Sequence, residues 1–112
     1  MYLTFKNQHG HPTAVDTHKI FSIYADHYCT DNDECVEVYG IEVHISIMDC
    51  VYHIGLVANA KKELDDSVLM KFIPKFFNWL KENANQCSEE EEEFHTVNIY
   101  DFWESFRKAM GI

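Results

Sequence analysis

Residues Cys35–Ala58 read CVEVYGIEVHISIMDCVYHIGLVA, and bulky apolar side chains alternate with small or polar ones on both sides of Asp49. A period of two is the mark of a strand with one buried face, so the stretch predicts an antiparallel hairpin. With Met48 and Asp49 at the turn, Ile47 opposes Cys50, Ile45 opposes Tyr52, Val43 opposes Ile54 and Ile41 opposes Leu56. One face is then wholly apolar, and a slip of one residue would mix the faces, which specifies the register. The same pairing sets Ser46 against Val51, His44 against His53 and Glu42 against Gly55 on a more polar face. Met-Asp lacks the residues that favour a type I′ turn, which leaves room for a four-residue loop in the same register.

Upstream of the hairpin, Tyr2–Lys6 alternates as a short strand, and QHGHP (residues 8–12) is turn chemistry with Gly10 and Pro12. His18–Ala25 (HKIFSIYA) is β-branched and aromatic and predicts a second strand, followed by an acidic surface loop over Asp26–Cys35. Downstream, Leu69, Phe72, Ile73, Phe76, Phe77 and Leu80 recur at three- and four-residue intervals. That spacing predicts an amphipathic helix over residues 66–85, capped by Asp66 or Ser67 and kinked at Pro74, where one backbone bond is lost. Residues 86–93 read as an acidic surface linker, and Phe94–Ile99 as a short strand. A second helix is expected over 101–110, with Asp101 and Glu104 at capping-box spacing, Arg107 and Lys108 in the last turn, and Gly111 to end it. The elements together predict one α+β domain over residues 1–112: a four- or five-stranded, mainly antiparallel sheet with both helices on one face.

Apolar residues make up 46% of the chain and aromatic residues 14%, enough buriable surface for a stable core at this length. Nine Lys and Arg stand against nineteen Asp and Glu, a formal net charge of −10. Such a field repels nucleic acid and anionic membranes, so direct contact with either is not expected. No basic stretch leads into an apolar one at the start, and no apolar run reaches the ~18 residues of a membrane span, so a cytoplasmic location is expected. Cys29, Cys35, Cys50 and Cys87 are too sparse for a disulfide scaffold and are expected reduced, with Cys29 and Cys35 the pair an oxidising compartment would join.

The chain lacks a nucleophile elbow, a P-loop and a dinucleotide fingerprint, and it reads as a binding protein rather than an enzyme. Cys50 and His53, three residues apart on one strand, point to opposite faces and make no activated thiol. Cys50 is expected in the core, as are Trp79, Trp103 and the phenylalanines at 72, 76 and 77. Asp31-Asn32-Asp33-Glu34 begins a calcium-loop rhythm that fails at Val36, where glycine is required. Cross-strand His44 and His53 are spaced to seat two ligands of a transition metal, with Glu42 or a distant carboxylate as a third. Because that third ligand is not specified, no cofactor or metal is assigned, and the two imidazoles are expected to line a half-exposed sheet face.

Charge patterning is the stronger signal. Asp26–Asp49 holds seven acids and Glu82–Glu104 eight, with no Lys or Arg in either block, so fifteen of nineteen acids lie in two base-free segments. Five lysines fall instead within Lys61–Lys81. Concentrating one sign of charge costs self-repulsion, which favours a basic partner surface. The candidate contact residues are Asp31, Asp33, Glu34, Glu37 and Tyr39 in the first block, and Glu89, Glu90, Glu91, Glu92, Glu93 and Phe94 in the second. Tyr28, Tyr39 and Phe94 would serve as anchors. In these properties the chain is similar to immunity proteins of bacterial nuclease toxins, and to phage anti-restriction or anti-CRISPR proteins that imitate nucleic acid. The resemblance implies a monomeric or weakly dimeric inhibitor that occupies the basic, nucleic-acid-handling surface of its target. A metal-binding module or small metal-dependent enzyme built on His44 and His53 is the alternative.

Overall fold

The computed structural model describes residues 1–88, 90 and 94–112. Among these, six strands and two helices follow in the order β1 (Tyr2–Lys6), β2 (Pro12–Asp16), β3 (Ser22–Asp31), β4 (Glu37–Ile47), β5 (Cys50–Ala60), α1 (Asp66–Asn85), β6 (Thr96–Asn98) and α2 (Ile99–Met110). The hairpin forms in the predicted register, from Ile47 opposite Cys50 to Gly40 opposite Val57. Its loop has two residues, and Met48 takes the left-handed backbone (φ 52°) that closes it.

The expected single sheet of four or five strands is corrected to two sheets of three. One is an antiparallel meander, β3-β4-β5; the other has the order β2-β1-β6, with β1 antiparallel to β2 and parallel to β6. The second strand begins at Ser22 rather than His18, because Thr17–Lys19 forms a 3₁₀ turn capped by Asp16. That strand then runs on through the segment expected as a loop, pairing Asp26 with Glu42 and Asp31 with Glu37. Pairing with β4 satisfies the backbone there whatever the side chains are.

The core is built from Ile41, Val43 and Ile45 of β4, Ile54 and Leu56 of β5, Leu3 and Phe5 of β1, and one stripe of each helix. Phe72 and Phe76 of α1 meet Phe102 and Phe106 of α2 at ring-centroid distances of 5.2 to 5.4 Å for the Phe72–Phe102, Phe72–Phe106 and Phe76–Phe102 pairs. Trp103 is buried as expected and Trp79 packs partly against this cluster, whereas Phe77 is half-exposed. Cys50 is exposed at the end of the hairpin rather than in the core.

α1 is continuous through Pro74. It starts behind Asp65, whose side chain makes no cap hydrogen bond, whereas Asp66, an expected cap, lies in the first turn and pairs with His27 of β3 at 2.8 Å. α2 starts at Ile99, two residues before the expected Asp101, because Asn98 accepts a hydrogen bond from the Tyr100 backbone N–H and serves as the cap. Gly111 ends the helix in the left-handed conformation (φ 70°), as the sequence predicts.

β5 is the edge of its sheet, and two side chains close its open backbone groups. Gln8 donates to the Val51 carbonyl and accepts from the His53 N–H, each at 3.2 Å, and the Trp103 indole N–H donates to the Val57 carbonyl at 2.8 Å. An edge so engaged is a poor template for further strands.

Candidate functional site

The first acidic block forms a two-stranded ribbon. β5 ends at Ala60, opposite Tyr39, so the last pairs of β3 and β4, Thr30 with Val38 and Asp31 with Glu37, run on without a third strand. Asn32 builds the tip. Its side-chain oxygen accepts from the backbone N–H groups of Glu34 and Val36 at 2.9 and 3.0 Å, an Asx turn that fixes the loop. The side chains of Asp31, Asp33, Glu34 and Glu37 are exposed, and among the described residues none is paired with Lys or Arg.

Tyr39 is tied to this ribbon. Its phenol donates to Glu37 Oε2 at 2.8 Å. That hydrogen bond, and then the carboxylate's charge, push the phenol up from 10.0 to about 12. Because the folded value lies above the unfolded one, the contribution is whole below about 10 and lost as pH rises through about 12. Glu37→Gln is expected to return the last tyrosine to ionise in ultraviolet titration toward 10, and an unchanged titration curve would show that the contact does not persist in solution.

The described acids of the second block lie elsewhere. His27, midway along β3, bonds Asp66 at the start of α1. Ile20 and Ile23, at the start of β3, line a cavity of about 260 Å³ with Thr17 and with Leu80, Lys81 and Ala84 of the last turns of α1. α1 therefore runs antiparallel to β3, and its twenty residues carry the chain about 30 Å away from the ribbon. Glu82 and Glu90 are exposed at that far end, and Phe94 is 81% exposed where the chain re-enters at β6. Glu89, Glu91, Glu92 and Glu93 lie outside the described residues. Glu104 is spent on its own helix, held below the usual carboxylate range chiefly by its hydrogen bond from Arg107 at 2.8 Å. Among the described residues, the ribbon acids Asp31, Asp33, Glu34 and Glu37 of the first block and Glu82 and Glu90 of the second thus stand toward opposite ends of α1.

A surface that the charge count misses is the outer face of the meander. Strand alternation puts Tyr24, Asp26 and Tyr28 of β3, Glu42, His44 and Ser46 of β4, and Val51, His53, Gly55 and Val57 of β5 on this side. It is open to solvent at Tyr24 (51%), Val51 (43%) and Val57 (42%), and it is continuous with the acidic ribbon. The exposed apolar residues were legible in the alternation, since each falls on the face opposite the core.

At its centre stand His44 and His53, opposed as the register predicts, with ring centroids 4.2 Å apart. Glu42 supplies the carboxylate that sequence could not specify: Oε1 lies 2.8 Å from His44 Nε2 and 3.3 Å from His53 Nδ1. Position i+2 on one strand brings Glu42 and His44 to the same face, so the arrangement follows from the pleat.

Comparison of the chain with family models, with curated proteins and with solved structures returns no match. Among the described residues, no helix is long and apolar enough to cross a membrane. The function is therefore argued from the surfaces themselves.

Proposed function

We propose that this protein is a stoichiometric binding protein that neutralises a basic, nucleic-acid-handling partner, in the manner of a nuclease immunity protein. The observation that carries the reading is the continuity of an exposed acidic ribbon, without Lys or Arg partners among the described residues, with a sheet face exposing Tyr24, Val51 and Val57. Charge of one sign speeds encounter and selects the partner, while affinity rests on a few desolvated aromatic and apolar anchors. Asp26 and Glu42 lie on the same face as Tyr24, Val51 and Val57, while Asp31 and Glu37, on the ribbon that prolongs β3 and β4, alternate to the other face. Glu82 and Glu90, at the far end of α1, add to the long-range field without sharing this contact.

A basic groove built to grip phosphates presents Lys and Arg in rows, and carboxylates placed along a twisted ribbon are suited to meet them. The ribbon charges should govern association rate and salt dependence, and Tyr24 should govern dissociation. The chain carrying Asp31→Lys, Asp33→Lys and Glu34→Lys is compared with the unaltered one in affinity capture from the native host, followed by binding measurements at several salt concentrations. The expected result is a basic partner retained by the unaltered chain, with affinity falling as salt rises, and at least a hundredfold weaker binding by the reversed chain. Equal retention by both chains would sink the reading.

A further inference from the structure

Glu42, His44 and His53 form the one cluster of three such side chains among the described residues whose ligating atoms all lie within 4.8 Å of one another. We propose that this cluster is a binding site for a divalent first-row transition metal, with zinc and cobalt as its type ions. The inference does not depend on the basic-partner reading.

Its second, independent support is the state of His44. The residue sits on the outer face of a sheet, where an imidazole ordinarily reaches water, yet it is only 7% exposed. Tyr24 stacks on it at 4.3 Å with the rings 14° from parallel, and His53 covers it from the neighbouring strand. Neither ring nitrogen has a hydrogen-bond partner. The Glu42 oxygen is close to Nε2, at 2.8 Å, but out of line for a hydrogen bond. Buried polar groups are paired in almost every case, so an unpaired buried imidazole beside a carboxylate and a second imidazole wants an occupant. A cation between the three groups would satisfy His44 and Glu42 together.

The donor set selects the ion. Two neutral imidazoles and one carboxylate suit zinc, cobalt, nickel or copper and disfavour calcium and magnesium, which take oxygen ligands. Tetrahedral zinc with ligands about 2.0 to 2.2 Å away requires donor separations of about 3.4 Å. The His53–Glu42 distance of 3.3 Å already matches, while the 2.8 Å approach of Glu42 to His44 must open and the three donors, now within 4.8 Å of one another, must draw round the ion. His53 is held in place through its backbone by Gln8, so its strand is fixed before any metal arrives. His44 Nδ1 lacks the acceptor that usually orients a metal-bound imidazole, a loss that costs roughly 10- to 100-fold in affinity. The site is therefore expected to bind with Kd on the order of micromolar, leaving at least one coordination position open on the exposed face.

Tag-free protein, stripped with a chelator, is titrated with Zn²⁺ by calorimetry and with Co²⁺ by visible absorption. One equivalent should bind, and cobalt should give the visible bands of a four- or five-coordinate ion without the intense thiolate charge-transfer band that the exposed cysteines would produce. His53→Gln and Glu42→Gln, both at half-buried positions, should each weaken zinc at least tenfold while retaining the far-ultraviolet circular dichroism of the parent. A His9→Gln, His11→Gln double variant, which removes the exposed loop pair, should bind as the parent does. Absence of a stoichiometric site at tens of micromolar zinc, a thiolate band, or binding indifferent to His53→Gln and Glu42→Gln would each overturn the assignment.

Discussion

Phe72→Ala is expected to be the most damaging single truncation in the chain, lowering stability by about 3–5 kcal/mol. Phe72 has no exposed surface, and its ring meets Phe76 at 5.5 Å, Phe102 at 5.4 Å, Trp103 at 6.1 Å and Phe106 at 5.4 Å. Phe72 of α1 and Phe102 of α2 are the two rings among the described residues that each contact four others, and Phe72, with no exposed surface, joins the two helices. Truncation removes apolar burial, forfeits edge and stacking contacts, and leaves a void between elements whose backbones cannot close it. Domains of this kind are stable by about 5–15 kcal/mol, so the loss consumes a large share of the total. Urea denaturation followed by near-ultraviolet circular dichroism would read it directly. Phe72→Leu, which keeps most of the volume, should cost only about 1–2 kcal/mol. A loss below about 1.5 kcal/mol for the alanine variant would mean that the seam between α1 and α2 is not what holds the fold.

Gly40→Ala should rank second, at about 3 kcal/mol or more, although it adds a single methyl group. Gly40 is where the pairing of β4 with β5 shifts: Gly40 opposes Val57, but Tyr39 opposes Ala60. A Cβ at position 40 would stand 1.9 Å from the Leu56 carbonyl oxygen and 2.9 Å from the Val57 Cα. These are backbone atoms in the centre of a sheet, so relief requires parting the strands rather than turning a side chain. Glycine inside a strand marks such close backbone approach, and here it permits the irregularity beyond which the ribbon continues alone. Amide hydrogen exchange would show lost protection at residues 39–41 and 56–60, spreading to the rest of the hairpin. If Gly40→Ala keeps parental stability and exchange, the close approach of β4 and β5 at this point is not present in solution.

The central hairpin was legible because its alternation leaves one face wholly apolar, and only one register buries Ile41, Val43, Ile45, Ile54 and Leu56 together. α1 was legible for the parallel reason at the helical period. β2 was not, since Val15 is its only buried residue and an edge strand needs little more. The acidic half of β3 was misread as loop because the signal was sought in its side chains. Its outer face meets water and tolerates aspartate, while the partner strand supplies the hydrogen bonds. The early start of α2 turned on whether Asn98 or Asp101 capped it, a choice that local spacing leaves even.

For the candidate sites the division is sharper. Charge content, the two base-free blocks and the facing of His44 and His53 are properties of the sequence by itself, since they require only counting and the two-residue period of a strand. Where Glu82 and Glu90 stand relative to the ribbon, whether the imidazole of His44 reaches water, and whether Glu42 closes on both histidines were decided by tertiary structure. Sequence separation does not give the direction in which α1 crosses β3, and that direction carries Glu82 and Glu90 away from the ribbon. Nor does it show that Tyr24 stacks over His44 and leaves a buried imidazole without a partner.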